Sequence, residues 1–246
     1  MGHVPNRLRI AAHFITVILL ILEVLNLETV VETMVGVSTD HSIYLFLSLP
    51  IILGFLNAYN FMDGINGITV VNALVTLGTL AYLNHEVMFV DPEIFTYSLM
   101  GLLIFGFFNF RKKAACFAGD VGAVSIAFAI TFTLTLLIVA TGNYYFIALV
   151  LVYGVDSVGT IIERLIKREN IFQAHRSHLY QLMANQSKIP HLMVSTIYGA
   201  VQLLINFLLI VSIHQGYSLL WVFSLIFVSL VSIFAWVKLK VYRVFS

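Results

Sequence analysis

Apolar runs of bilayer length recur along this chain, separated by short polar breaks. A helix needs about 20 largely apolar residues to cross a hydrocarbon core. By that measure the pattern predicts about eight spans, at 10–27, 41–58, 68–84, 94–110, 122–140, 144–161, 192–213 and 217–237. The first of these carries His13 and Glu23 within its apolar run. No stretch between spans has the length of a water-soluble domain, and the longest polar segment covers 162–191. The expected fold is an all-α polytopic integral membrane protein, a single transmembrane domain over residues 1–246.

Composition agrees. The chain is 60% hydrophobic and 10% charged, with a mean hydropathy of +0.98, whereas a soluble globule carries about 25% charged residues. The lipid bilayer is therefore one partner, and a net charge of +1 gives no reason to expect nucleic acid. The lone Cys116 excludes an internal disulfide. Charge placement fixes the topology. Arg7 and Arg9 precede the first span, Arg111, Lys112 and Lys113 follow the fourth, Arg164, Lys167, Arg168, Arg176 and Lys188 lie between the sixth and seventh, and Lys238, Lys240 and Arg243 mark the carboxyl end. An alternating eight-span arrangement puts all 13 bases on one side, which the positive-inside rule makes the cytoplasm. The opposite loops carry Glu28, Glu32, Asp40, Glu86, Asp91 and Glu93.

The polar residues within and beside the spans then converge. The run NAYNFMDGING at 57–67 places Asn57, Asn60, Asp63 and Asn66 three apart at the seam between the second and third spans. That spacing lays them roughly along one helical face. Polar groups in such a place are costly unless paired or used; the plainer reading is polar contact between helices. Asp120, flanked by Gly119 and Gly122, lies before the fifth span, and His175, Arg176 and His178 lie in the large loop on the same side. Asp156, near the end of the sixth span, suits either a site or helix packing.

Asp63 and Asp120 are acceptor-only groups, and the asparagines add neutral oxygens and amide donors. Magnesium is typically held by one or two carboxylates, with water and substrate phosphate completing its shell. His175, Arg176 and His178 supply cations or donors for phosphate, as do Arg111, Lys112 and Lys113, although a basic run after a span is ordinarily a topology anchor. A Gly-Asp pair is ordinarily a turn. His13, His41, His85, His191 and His214 have no neighbours of metal-binding type in the sequence. Tyr144, Tyr145, Tyr217 and Trp221 read as interfacial anchors.

NAYNFMDGING resembles the N-x-x-N-x-x-D-G-x-D-G motif of the polyprenyl-phosphate N-acetylhexosamine-1-phosphate transferases. FAGDVGA at 117–123 resembles that family's F-x-G-D-x-G-S motif, and AHRSHLYQ at 174–181 resembles the histidine motif of its O-antigen and lipid-carrier branch. The resemblance implies an enzyme of the bacterial inner membrane, its active site facing the cytoplasm. It implies transfer of a sugar-1-phosphate from a UDP-N-acetylhexosamine to undecaprenyl phosphate, with release of UMP, to initiate a lipid-linked envelope polysaccharide. It implies magnesium, or manganese in its place, held by Asp120 and Asp63. His175, Arg176 and His178 would hold the diphosphate, and Asn57, Asn60 and Asn66 would line the substrate site. A homodimer is compatible with it.

Three departures accompany the resemblance. Asn66 stands where the family usually has a second aspartate, and Ala123 where it has serine. An Asp-Asp pair that the family carries on an earlier span is not found, since the start at Met1 resembles the segment just after it. A longer native protein is the favoured explanation, a truncated and non-catalytic relative the other; on either, the 246-residue chain alone is expected to have little transferase activity. A transporter is the remaining alternative, against which the polar groups gather at span ends rather than mid-bilayer.

Overall fold

The computed structural model describes residues 14–22, 42–170 and 176–245. Among these the regular structure is helical: α1 (14–22), α2 (Ser42–Met62), α3 (Ile68–Val87), α4 (Pro92–Asn109) and α5 (Gly119–Thr141). A 3-10 segment, Tyr144–Val150, then runs into α6 (Leu151–Ile166). The short α7 (Leu179–Gln181) passes into a π-helical turn (Leu182–Gln186), followed by α8 (His191–His214) and α9 (Leu219–Phe245). Among the described residues, five stretches are long and apolar enough to cross a membrane: Ile68–Val87, Gly119–Thr141, Tyr144–Ile166, His191–His214 and Leu219–Tyr242. The chain is an all-α polytopic membrane protein. Pro50–Met62, within α2, is apolar but shorter, α4 runs 18 residues, and the expected span 10–27 is described only over 14–22.

Polar side chains are buried in the interior of the bundle. Central α3 packs against α8, α4 and α5, and its buried residues include Asn72, Thr76, Thr79 and Asn84. Outer α9 exposes Trp221, Leu225, Val228 and Trp236. Lipid is as apolar as leucine, so helices in a bilayer associate through close packing and hydrogen bonds instead of apolar burial. Gly199 of α8 shows the close packing: a Cβ there would come 2.3 Å from Val71 Cγ1 on α3.

The 3-10 segment departs from the expected uninterrupted helix over 144–161. Irregular backbone at membrane depth persists only where protein satisfies it. Here Gln202 Nε2 donates to Ala148 O (2.9 Å), Gln202 Oε1 accepts from Val152 N (3.0 Å), and Thr76 Oγ1 donates to Leu149 O (3.2 Å). Asn206 extends this network from Gln202 (2.7 Å) to Thr79 (2.9 Å).

The connections after α2, after α4 and after α6 meet at one face, joined by contacts given below. The far face is marked by His214 Nε2 and Glu86 Oε2, 3.2 Å apart. Within the expected polar segment 162–191, residues Leu179, Tyr180, Gln181, Leu182 and Ala184 are buried. Gln202→Leu leaves two buried backbone groups of the 3-10 junction without their partner. It is expected to lower stability by about 2–4 kcal/mol, measured by unfolding in detergent, whereas Gln215→Leu at the exposed end of α8 is expected to change it little.

Candidate active site

The loop between α2 and α3 is shaped by glycine. Gly67 sits at φ 86° and donates its N–H to Asn109 Oδ1 (2.8 Å), while Asn109 Nδ2 donates to Cys116 O (2.8 Å). One buried asparagine therefore ties this loop to the connection leading into α5. Asn66 adds a second tie. Its Nδ2 donates to Arg111 O (2.8 Å) and Lys112 O (3.2 Å), and its own carbonyl accepts from Ser195 Oγ of α8 (2.8 Å).

These ties bring the two expected carboxylates together. Asp63 Oδ2 accepts from Gly119 N (3.2 Å), the residue before Asp120, and Asp63 Oδ1 accepts from Thr69 Oγ1 (2.6 Å). Asp120 Oδ1 accepts from Asn60 Nδ2 (3.2 Å). Burial raises the pKa of Asp63, and the hydrogen bonds from Thr69, Gly119 and Ala118 offset part of that rise. Asp120 is exposed at the start of α5, where helix N–H groups lack intrahelical partners.

The histidine segment reaches the same loop through Tyr180. Its hydroxyl donates to Phe61 O (2.9 Å), and a Cβ on Gly64 would lie 2.2 Å from that oxygen, so only glycine leaves room. Burial, with Asp156 and Asp63 nearby, pushes the phenol's pKa up and keeps it a donor. Asp156 anchors the segment from α6. Its Oδ1 accepts from Leu179 N (2.9 Å), and its Oδ2 from Tyr180 N (3.3 Å) and the Tyr198 hydroxyl (2.7 Å). His178 is buried with Nδ1 3.5 Å from Asp156 Oδ1, its ring stacked on Tyr180.

The expected site residues therefore divide. Asp63, Asp120 and Asn60 form one patch, with Arg176 exposed on the neighbouring segment. Asn66 is buried and holds backbone, Asn57 is exposed and donates to Leu53 O (3.0 Å), and His178 packs inward beside Asp156. His175 lies outside the described residues. The Arg111 guanidinium lies over the Phe107 ring at 4.3 Å and donates to the Phe107 carbonyl. Thr69, Asn109, Tyr180, Ser195 and Tyr198 were not foreseen; a buried hydroxyl or amide inside an apolar run carries no local signal of its distant partner. Among the described residues no three His, Cys, Asp or Glu side chains gather to hold a metal. Two carboxylates beside an amide suit a cation that keeps most of its shell for water and phosphate, as magnesium does, and not the closed nitrogen-sulfur set of zinc.

The described residues thus form a polytopic helical bundle with a carboxylate patch where its connections meet. The chain belongs to glycosyl transferase family 4, which it matches over residues 1–155. The segment at 176–181 lies beyond the matched residues. The chain is 38% identical over 85 residues to a phospho-N-acetylmuramoyl-pentapeptide-transferase of Streptococcus gordonii, covering 34% of this chain and 26% of that protein. It is 41% identical over 87 residues to the protein of the same name from Streptococcus pyogenes serotype M49, covering 34% and 25%. The aligned stretch thus spans about a quarter of the length of these relatives.

Gly64→Ala drives a methyl group into the Tyr180 hydroxyl, and Tyr180→Phe removes that oxygen. Thermal unfolding is expected to show a large loss for the first and a small loss for the second. The double variant should lose less than their sum, by about 1 kcal/mol; strict additivity would mean that the two side chains do not meet.

Proposed function

We propose that the chain carries the site of a transferase that moves N-acetylhexosamine-1-phosphate from a UDP-sugar to undecaprenyl phosphate at the cytoplasmic face of a bacterial membrane. The observation that carries this reading is the Asp63–Gly119–Asp120 arrangement, which brings a carboxylate of the α2–α3 loop to the start of α5, where the second carboxylate lies. The lipid phosphate attacks the β-phosphorus of the nucleotide sugar, the bond between the two phosphates breaks, and UMP leaves. Asp63 and Asp120 would hold magnesium, which supplies charge neutralisation for the transferring phosphoryl group. Asn60 holds Asp120 in place, Thr69 and Gly119 hold Asp63, and the amino end of α5 offers N–H groups to an anion. Arg176 is exposed on the segment that Tyr180 ties to this loop, and it suits a phosphate. An apolar groove of about 630 Å³ between α2, α6 and α9, lined by Ile51, Phe55, Tyr59, Val155 and Phe227 among others, suits an isoprenoid tail.

The AHRSHLYQ segment supports an N-acetylhexosamine donor and an O-antigen-like product. The names of the relatives favour a second reading, a muramoyl-pentapeptide donor. UMP release is measured with both donors and undecaprenyl phosphate, for the chain and for an upstream-extended form side by side. The expected result is magnesium-dependent release by the upstream-extended form with the N-acetylhexosamine donor, lowered at least about a hundredfold by Asp120→Asn, and little release by the chain alone. Release from neither form, with either donor, would overturn the transferase reading.

Acid should silence the site early. The ionised carboxylate binds the cation, and burial places the Asp63 pKa above its ordinary value. Magnesium affinity is therefore expected to fall with decreasing pH from above the usual carboxylate range. Thr69→Val removes a hydrogen bond that lowers this pKa, so its acid limb should move to higher pH. An unmoved limb would mean that Asp63 does not titrate with metal binding.

A further inference from the structure

The site as described does not account for Lys238. This lysine of α9 is only 5% exposed, and a buried ammonium in a membrane helix is costly unless paired. Its Nζ lies 2.7 Å from Glu163 Oε2, donates to Thr160 Oγ1 at 3.0 Å, and sits 5.1 Å from the centre of the Phe234 ring. The bond to Thr160 has a directional consequence. A hydroxyl that accepts from an ammonium turns its own proton elsewhere, and Thr160 Oγ1 donates to Asp156 Oδ1 at 3.3 Å. That same carboxylate oxygen accepts from Leu179 N, while its partner oxygen accepts from Tyr180 N. Asp156, Thr160 and Glu163 follow one another on α6 at spacings of four and three, which puts them on one helical face. A chain of hydrogen bonds thus runs from α9 across α6 to the backbone of the segment that carries His178 and Tyr180.

We propose that Lys238 is a positioning residue. It orients the Thr160 hydroxyl toward Asp156 and so holds residues 178–180 against the Gly64 turn beside Asp63. The effect on catalysis rests on the transferase reading, while the effect on the segment does not. Through Lys238, the least buried of the five membrane-length stretches among the described residues reaches into the support of the site.

Amide hydrogen exchange on the purified chain in detergent tests this, with UMP release by the upstream-extended form measured in parallel. The variants are Lys238→Met, Thr160→Val, Thr160→Ser, which keeps the hydroxyl, and Lys167→Met, which touches Glu163 but not Thr160. Exchange at the Leu179 and Tyr180 amides is expected to rise about tenfold in Lys238→Met and Thr160→Val. It should stay at the parent value in the other two, and UMP release should fall by a similar factor in the first pair alone. Unchanged protection of these amides in Lys238→Met overturns the proposal. So does equal loosening by Thr160→Ser and Thr160→Val, which would show packing and not the hydroxyl at work. Should Lys238→Met fail to fold, the threonine pair decides alone. A parent that releases no UMP from either form counts against the transferase reading, and the exchange result still decides the positioning role.

Discussion

At five places among the described residues where the backbone leaves helical geometry, a buried side chain meets the groups it frees. A bilayer offers no water for an unpaired N–H or C=O, and each one left bare costs several kcal/mol. Gln202 meets Ala148 and Val152, Asn84 meets Val90 twice, Asn109 meets Gly67 and Cys116, Asn66 meets Arg111 and Lys112, and Asp156 meets Leu179 and Tyr180. A side-chain amide serves this purpose well because it donates and accepts at once. The polar residues inside the apolar spans are thus the condition under which loops can enter the structure and carry chemistry.

The same constraint explains how the site is assembled from distant sequence. The carboxylate loop is fixed to the α5 connection by Asn109 and Asn66, to α8 by Ser195, and to the 178–181 segment by Tyr180. Each tie acts at backbone atoms, so the loop's path is specified without using the carboxylates of Asp63 and Asp120. Glycine at 64 and 67 is required on separate grounds: the first because Tyr180 occupies the space of a Cβ, the second because of its left-handed φ and the Phe110 ring 2.5 Å from where a Cβ would stand.

Apolar run lengths revealed the helices, and the spacing of bases revealed which ends share a face. The carboxylates Asp63 and Asp120 were legible because acidic residues at span ends are rare enough to stand out. Less legible were the elements whose conformation depends on a remote partner. The Tyr144–Val150 stretch is as apolar as a helix, and its 3-10 form depends on Gln202, more than fifty residues away. The histidine segment reads as a solvated loop because it is polar, yet Asp156 and Tyr198 draw it into the bundle. Local pattern reports which side chains prefer lipid, and it is silent about which polar atoms find one another.

Asn66 shows how far one such pairing reaches. The motif resemblance sets it where an aspartate is usual, which reads first as a lost ligand. In this fold its amide nitrogen faces two carbonyl oxygens, at 2.8 and 3.2 Å, and the residue is 6% exposed. A carboxylate at that place would bring acceptor against acceptor in a buried setting, at a cost comparable to an unpaired charge. The neutral amide and the path of residues 111–112 therefore belong together: this chain needs a donor at 66 to hold the connection that delivers Gly119 to Asp63. The absent charge is a consequence of how the loop is held, and the acidic character of the patch rests on Asp63 and Asp120.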